Sequence, residues 1–383
     1  MARGRSVRAG VVCLLVSALA AAAFGAVPAY LPPRPATAGK GRLELVGGIP
    51  VLHLRGTPEQ MGEQHGRLLG AQLAVLRRVY LDTFFGNAVS RAGALAFGMG
   101  LVPHMPPACV TEMKAMAAAS GVDYPGVVFA NTFTDTSRAI FCSVVVACGK
   151  ASRGGRLVIG RNLDFPSLGV LHKATVLVVY HHTAAGRRPF VAVGWPGVVG
   201  VVTGMNDAGL CVATLVSATQ KGVSPGMPYT MMHRLVLEQC ATPQEALALV
   251  KRTARTSANN LVVASPEAEP LVIEYSAEKV AARTSVGGLL LATNHFRCTD
   301  FTANPRPLDN RFATLAERTA RQRGRIDVPA LKTMLHAVNQ GRMTLQSMVF
   351  EPSTRRLHLA TGSAPASAAA YVAIDCGKLL AAK

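Results

Sequence analysis

The chain reads as an α+β protein with two stacked, mostly antiparallel sheets and helices on both outer faces. Three observations carry this reading. Aliphatic and β-branched runs of strand length recur in pairs around Gly, Asn and Asp turns, which is hairpin chemistry. Helices with clear start signals come in groups, not one after every strand, which argues against a doubly wound parallel sheet. Half of the 383 residues are apolar and 16% are charged, enough to fill a sizeable core and to exclude wholesale disorder.

The elements follow in order. Residues 1–26 read as an export signal or an uncleaved membrane anchor. Arg3, Arg5 and Arg8 precede the apolar run Val11–Phe24, and Ala23-Phe24-Gly25-Ala26 offers small residues for cleavage. Residues 27–42, rich in Pro, Ala and Gly, read as a linker. Leu43–Arg55 is a strand pair around Gly47-Gly48. Thr57-Pro58-Glu59-Gln60 supplies an N-cap, an N1 proline and an N3 glutamine for a helix to about Arg78. A second helix covers Cys109–Ser120 and stops at Gly121. Three hairpins follow: Ser143–Ala147 with Leu157–Ile159, Thr175–His182 with Pro189–Gly194, and Val198–Thr203 with Leu210–Val216. Helices are expected at Tyr229–Gln239, from Thr242 to about Arg252, at Asp309–Gln322, and at Val328–Asn339 with Asp327 as N-cap. Strands are expected at Asn260–Ala264, Leu271–Tyr275, Leu289–Thr293, Leu345–Phe350, Arg356–Ala360 and Tyr371–Ile374.

The first hairpin concentrates the chemistry. A turn at Arg153-Gly154-Gly155 brings Cys142 roughly opposite Phe165 and near Arg161 and Asp164. A guanidinium beside a thiol favours the thiolate, and a carboxylate can orient a donor and balance charge. Alternating pleats put Arg161 and Asp164 on opposite faces, so both reach the sulfur only where the strand bends or ends. The plainer reading is a small buried Cys with a nearby Arg–Asp pair.

The run from Cys142 to Phe165, with Arg161-Asn162-Leu163-Asp164, resembles the nucleophile segment of the isopenicillin-N N-acyltransferase-like family of cysteine N-terminal-nucleophile hydrolases. Met61-Gly62-Glu63-Gln64-His65-Gly66, Gly204-Met205-Asn206-Asp207-Ala208-Gly209-Leu210 and Thr293-Asn294-His295-Phe296 are similar to further segments of it. The resemblance spans roughly residues 45–375. It implies a four-layer αββα sandwich and self-cleavage between Phe141 and Cys142. That cut divides one domain into segment 43–141 and the nucleophile-bearing chain 142–383. It further implies Cys142 as nucleophile, Arg161 and Asp164 as its holders, and Asn294 as oxyanion donor. Asn206 is either a second site residue or simple turn chemistry. Three positions depart from the family pattern: Phe141 stands where Gly is frequent, Ser143 where Thr is frequent, and about Val216 where the related choloylglycine branch has an oxyanion Asn, so that a second donor would have to be a backbone amide or Asn206. No cofactor is implied. The substrate implied is a small N-acyl amide, cleaved or transferred through a thioester. An uncleaved, inactive binding protein on the same scaffold is the alternative.

The remaining signals bound the function. Formal charge is +19, which suits an anionic partner, but the cations are scattered except at Arg318–Arg325. No aromatic stacking motif accompanies them, so no specific nucleic-acid partner is expected. Eight cysteines without a CxxC give no zinc-ribbon or thioredoxin reading, and seven beyond Cys13 leave at least one thiol free. Cys148, beside the turn, is the rival nucleophile. His65 reads as a packed helical histidine. His181 and His182, adjacent in a strand, face opposite ways and make a poor shared metal site. GxSxG and HExxH are absent.

Overall fold

The computed structural model describes residues 29–136, 140–217, 223–301 and 309–381. Three strands open it: β1 (Ala36–Ala38), β2 (Gly41–Val46) and β3 (Ile49–Gly56). Helices α1 (Pro58–Phe84), α2 (Ala88–Leu101), α3 (Pro107–Ser120) and α4 (Tyr124–Thr136) follow. Next come β4 (Phe141–Gly149), β5 (Gly155–Asp164), β6 (Val176–His182), β7 (Phe190–Gly194), β8 (Thr203–Asn206) and β9 (Cys211–Val216). After α5 (Tyr229–Gln239) and α6 (Pro243–Arg252) lie β10 (Asn259–Ala264), β11 (Leu271–Tyr275), β12 (Val280–Thr284) and β13 (Leu289–Ala292). The chain ends with α7 (Asn310–Arg321), α8 (Val328–Ala337), β14 (Thr344–Glu351), β15 (Arg356–Ala360), β16 (Val372–Asp375) and α9 (Cys376–Ala381).

The strands form two sheets. One runs β1-β2-β3-β6-β7-β8-β9-β10-β11-β12, the other β13-β4-β5-β14-β15-β16. Among the strand pairings of the described residues only β3–β6 is parallel. The smaller sheet shows why the layers stack. Val144 and Val146 belong to the core cluster shared with the larger sheet, while Val145 and Ala147 pack on Leu315, Leu331, Met334 and Leu335 of α7 and α8. Alternate residues of one strand thus bury against two different layers. Helices α5 and α6 cover β8–β10 and β12 of the larger sheet. The fold is the αββα sandwich.

Local signals explain the helix ends. Thr57 and Gln60 form a reciprocal capping box at α1, and Thr242 and Glu245 form another at α6. Asp327 caps α8, and Gly121 closes α3 in the left-handed region at φ 72°.

Several expectations need correction. The linker at 27–42 contains β1, which turns at Gly39 and pairs antiparallel with β2. The strand expected at Val198–Thr203 is β8, at Thr203–Asn206. Val199, Val201 and Val202 are buried, and Val201 N–H bonds the Thr230 carbonyl of α5 at 2.8 Å. Helix α1 runs past Arg78 to Phe84. Helix α2 was not anticipated, although Asn87 caps it. Residues 1–26 lie outside the described residues. Among the described residues no helix is long and apolar enough to cross a membrane.

Candidate functional site

Cys142 lies one residue inside β4, between the edge strand β13 and β5 of the smaller sheet. Its cross-strand partner is Leu163, and Phe141 faces Asp164. The expected partner was Phe165. The offset is two residues, an even step, so the same side chains stay on the same faces. Cys142 and Arg161 therefore share the face turned to the larger sheet. Arg161 Nη2 donates to Cys142 Sγ at 3.4 Å, and Nη1 donates to the Thr214 carbonyl on β9 at 2.7 Å. Thr214 is braced in turn: its Oγ1 lies 2.7 Å from His233 Nδ1, whose Nε2 lies 2.8 Å from the Tyr275 hydroxyl. All of these groups are buried.

Asp164 keeps to the pleat and faces the other way. Its Oδ1 accepts from Thr344 Oγ1 at 2.5 Å, and its Oδ2 lies 3.8 Å from Arg311 Nη1. The carboxylate does not bond the sulfur; only the Asp164 backbone amide lies beside it. The expectation that both charged groups face the thiol is thus half met, because β5 remains regular through Asp164. Burial pushes the Asp164 carboxyl up to about 6, against the opposing pull of Thr344, Arg311 and Arg161. Burial likewise pushes the Cys142 thiol up, with Arg161 working against it.

Asn294, just past β13, holds the backbone around Cys142. Its Oδ1 accepts from the Cys142 N–H at 2.7 Å. Its Nδ2 donates to the Val216 carbonyl at 2.7 Å and to the Ile140 carbonyl at 3.1 Å. The expected oxyanion donor is therefore turned to carbonyls on either side of the site, not to that of Phe141. Arg311, in the first turn of α7, was missed. It donates to the Cys142 carbonyl at 2.8 Å and to Asn294 Oδ1 at 3.2 Å, and its guanidinium lies 5.8 Å from the Phe141 ring centroid. Asp309 caps α7 and pairs with Arg311 at 3.1 Å. Burial would raise the Asp309 carboxyl, but His295, the Phe312 N–H and Arg311 hold it well below the usual range. One signal could have exposed Arg311. A cation in the first turn of a helix opposes the helix dipole, so its position asks for another reason.

Asn206 does not reach this cluster. Its Nδ2 donates to the Leu237 and Cys240 carbonyls, and its Oδ1 accepts from Ala208 and Leu210 N–H. It is a fully used turn brace tying β8 to the end of α5. Cys148 is also apart, bonded through Sγ to the Gly288 carbonyl at 3.6 Å. His65 accepts from Gly197 N–H at 2.9 Å, and burial pushes it down to about 3. His181 bonds the Leu379 carbonyl while His182 faces Glu238. Among the described residues no three His, Cys, Asp or Glu gather as a metal site, and all seven described cysteines are free thiols.

Beside Cys142 opens an apolar cleft. Leu76 and Tyr80 of α1, Phe129 and Phe133 of α4, and Trp195 line it, together with Ile140 and Leu163 next to the thiol. Its one charged wall residue, Arg77, is paired with Asp123 at 3.0 Å.

An αββα sandwich with a cysteine, an arginine and an asparagine meeting at one strand end defines the class of scaffold. Residues 151–364, over half of the chain, match the family model of acyl-coenzyme A:6-aminopenicillanic acid acyl-transferase, and the chain belongs to that family. The match includes Arg161, Asp164 and Asn294 and begins after Cys142. Among curated relatives, an uncharacterized protein of Archaeoglobus fulgidus is 26% identical over 275 residues, covering 63% of this chain and 46% of that one. Protein dcd1B of Dictyostelium discoideum is 25% identical over 261 residues, covering 61% and 52%. The chain thus spans about half the length of these relatives. Solved structures with some likeness include a Caenorhabditis elegans N-acylethanolamine-hydrolyzing acid amidase ortholog, with TM-score 0.44 and 20% identity over 55% of this chain and 93% of that one. Penicillin V acylase from Agrobacterium tumefaciens has TM-score 0.40 and 13% identity over 57% and 83%.

Proposed function

We propose that this chain is a self-processing cysteine amidohydrolase or acyltransferase whose nucleophile is Cys142. The observation that carries the reading is the triple hold on one residue. Arg161 bonds the sulfur, Asn294 the nitrogen and Arg311 the carbonyl. A structural cysteine needs none of these.

In the first step the thiol of Cys142 attacks the Phe141 carbonyl. The peptide C–N bond breaks, a C–S bond forms, and the thiol proton ends on the departing nitrogen. Water then hydrolyses the thioester, leaving a Phe141 carboxylate and a free Cys142 amine. That amine, with an ordinary pKa of about 7.7–8.0, takes the thiol proton in later turnovers, so the site needs no histidine base. Asn294 Oδ1, already 2.7 Å from this nitrogen, orients it. Arg161 stabilises the thiolate that burial disfavours. Asn294 Nδ2 is the candidate oxyanion donor once the Ile140 carbonyl has moved off it. The acyl-enzyme passes to water or to an amine.

The apolar cleft favours an uncharged, apolar acyl group on the substrate amide. The N-terminal run of Arg3, Arg5, Arg8 and Val11–Phe24 supports placement outside the cytoplasm, with or without membrane attachment. An uncleaved binding protein is the second reading. Complete burial of the sulfur, which keeps the thiol protonated, favours it.

A denaturing gel with intact masses decides between them. Wild type should give two pieces, the second beginning at Cys142, and Cys142→Ala one. Wild-type protein that stays whole while still hydrolysing N-acyl amides would overturn the reading.

A further inference from the structure

The end of the sandwich opposite Cys142 carries a concentration of charge that the proposed chemistry does not use. Lys150, Arg153 and Arg156 stand on or beside the β4–β5 turn. Arg318 and Arg321 end α7, and Arg323 and Arg325 occupy its link to α8. Backbone bonds knit these segments together. Arg153 N–H bonds the Ile326 carbonyl at 2.9 Å, and Gly324 N–H bonds the Ala151 carbonyl at 2.8 Å. Arg323 Nη2 reaches the Gly287 carbonyl, on the turn before β13, at 2.9 Å.

Few carboxylates answer these cations. Glu317 pairs with Arg321 at 2.5 Å and Asp327 with Arg153 at 3.0 Å. Glu269 accepts from Ser285 N–H nearby. Lys150, Arg156, Arg318, Arg323 and Arg325 have no carboxylate partner among the described residues. All but Arg318 are exposed. Cys142 and Gly149 lie toward opposite ends of β4, and seven residues at a rise of about 3.3 Å separate them by about 23 Å. The cations are therefore no part of the substrate cleft, and none of them lines it.

We propose that this end is a docking surface for an anionic phospholipid bilayer. Exposed charge spread over the tips of three connected turns meets a plane of phosphates better than it meets one small anion. The same chain carries the apolar run Val11–Phe24 behind Arg3, Arg5 and Arg8. An apolar segment and a basic patch are the two weak signals that together hold a protein at a membrane. The inference does not depend on Cys142 being a nucleophile.

The test uses the full chain with vesicles of phosphatidylcholine alone or mixed with phosphatidylglycerol, at low and high salt. The variant R156Q/R323Q/R325Q should bind the anionic vesicles on the order of a hundredfold more weakly at low salt, at roughly fivefold per cation. The difference should vanish at high salt, since the apolar segment's share is salt-insensitive. Arg323 and Arg325 also bond backbone carbonyls, so K150Q/R156Q is the second variant, and its affinity should drop about 25-fold on the same scale. Equal binding by wild type and both variants overturns the proposal, as does binding to soluble polyphosphate with none to anionic vesicles.

Discussion

Arg161 serves two acceptors with two nitrogens, and this is what fixes the sulfur in place. Lysine has one ammonium and cannot span both the Thr214 carbonyl and Cys142 Sγ in the same geometry. Arg161→Lys should keep the fold and slow the appearance of the two pieces at least about tenfold, a change of about 1.4 kcal/mol in the barrier; a gel time course after synthesis measures it. Asp164 makes a different prediction. Its carboxyl, ordinarily near 3.9, is pushed up to about 6 in the fold, so the folded chain holds this proton more tightly than the unfolded one. The resulting stability is fully present below pH ~4 and is lost as pH rises through about 6, on the order of 3 kcal/mol for a shift of about two units. In the uncleaved Cys142→Ala background, adding Asp164→Asn should remove this loss. Denaturant midpoints of the two proteins should diverge between pH 4 and 7, with Asp164 the one that falls. Parallel curves would mean that Arg161 and Arg311 fully compensate the buried charge.

At the scale of elements, α1 and α3 cross closely enough for glycine to be required. Gly62, Gly66 and Gly70 recur every fourth residue on α1. A Cβ at Gly62 would lie 2.1 Å from the Glu112 carbonyl oxygen, and one at Gly66 would lie 2.6 Å from that of Met116. Backbone cannot yield as a side-chain tip can, so Gly62→Ala should cost at least about 1–3 kcal/mol. Gly93→Ala, on exposed α2 with nothing within 4 Å, should instead stabilise by roughly 0.5–1 kcal/mol. Melting curves of the two variants should move in opposite directions. The same contrast explains what the sequence disclosed. Strand runs, capping boxes and the turn at Arg153-Gly154-Gly155 are local signals, and they placed Cys142 near Arg161 correctly. Arg311 and Thr344 are not local to Cys142; they arrive on α7 and β14, and no spacing announces which side chains will converge. Asn206 stayed open between two roles because an asparagine in a turn and an asparagine in a site look alike in sequence. Its bonds to α5 are visible only once the chain is folded. Val198–Thr203 misled for a related reason: β-branched residues report burial, and burial is not pairing.

Across the whole molecule, a cut before Cys142 would not divide it into two bodies. Strands β1–β3 precede the cut and continue the larger sheet, because β3 pairs in parallel with β6. Helices α1 and α4 form much of the apolar cleft wall. Among the described residues one ion pair crosses the same boundary: Arg234 on α5 meets Glu112 on α3 at 2.7 Å, with Glu238 at 2.8 Å on its other side and the Tyr180 ring 4.5 Å from its guanidinium. Both partners are essentially without solvent, at 1% and 0% exposure. Removing one member of such a pair leaves a buried charge with less compensation, which costs about 3–5 kcal/mol. Glu238 remains, so Glu112→Gln should fall at the lower end of that range. Processed wild-type protein should therefore elute as one particle under native conditions. Its pieces should separate only in denaturant, at the concentration where helical and strand circular dichroism is lost. Glu112→Gln should lower that concentration without changing how completely Phe141–Cys142 is cut, since Glu112 touches nothing at the thiol. Pieces that part under native conditions would mean that the piece ending at Phe141 is a discarded prosegment, and the cleft beside Cys142 would then lose the walls that α1 and α4 supply.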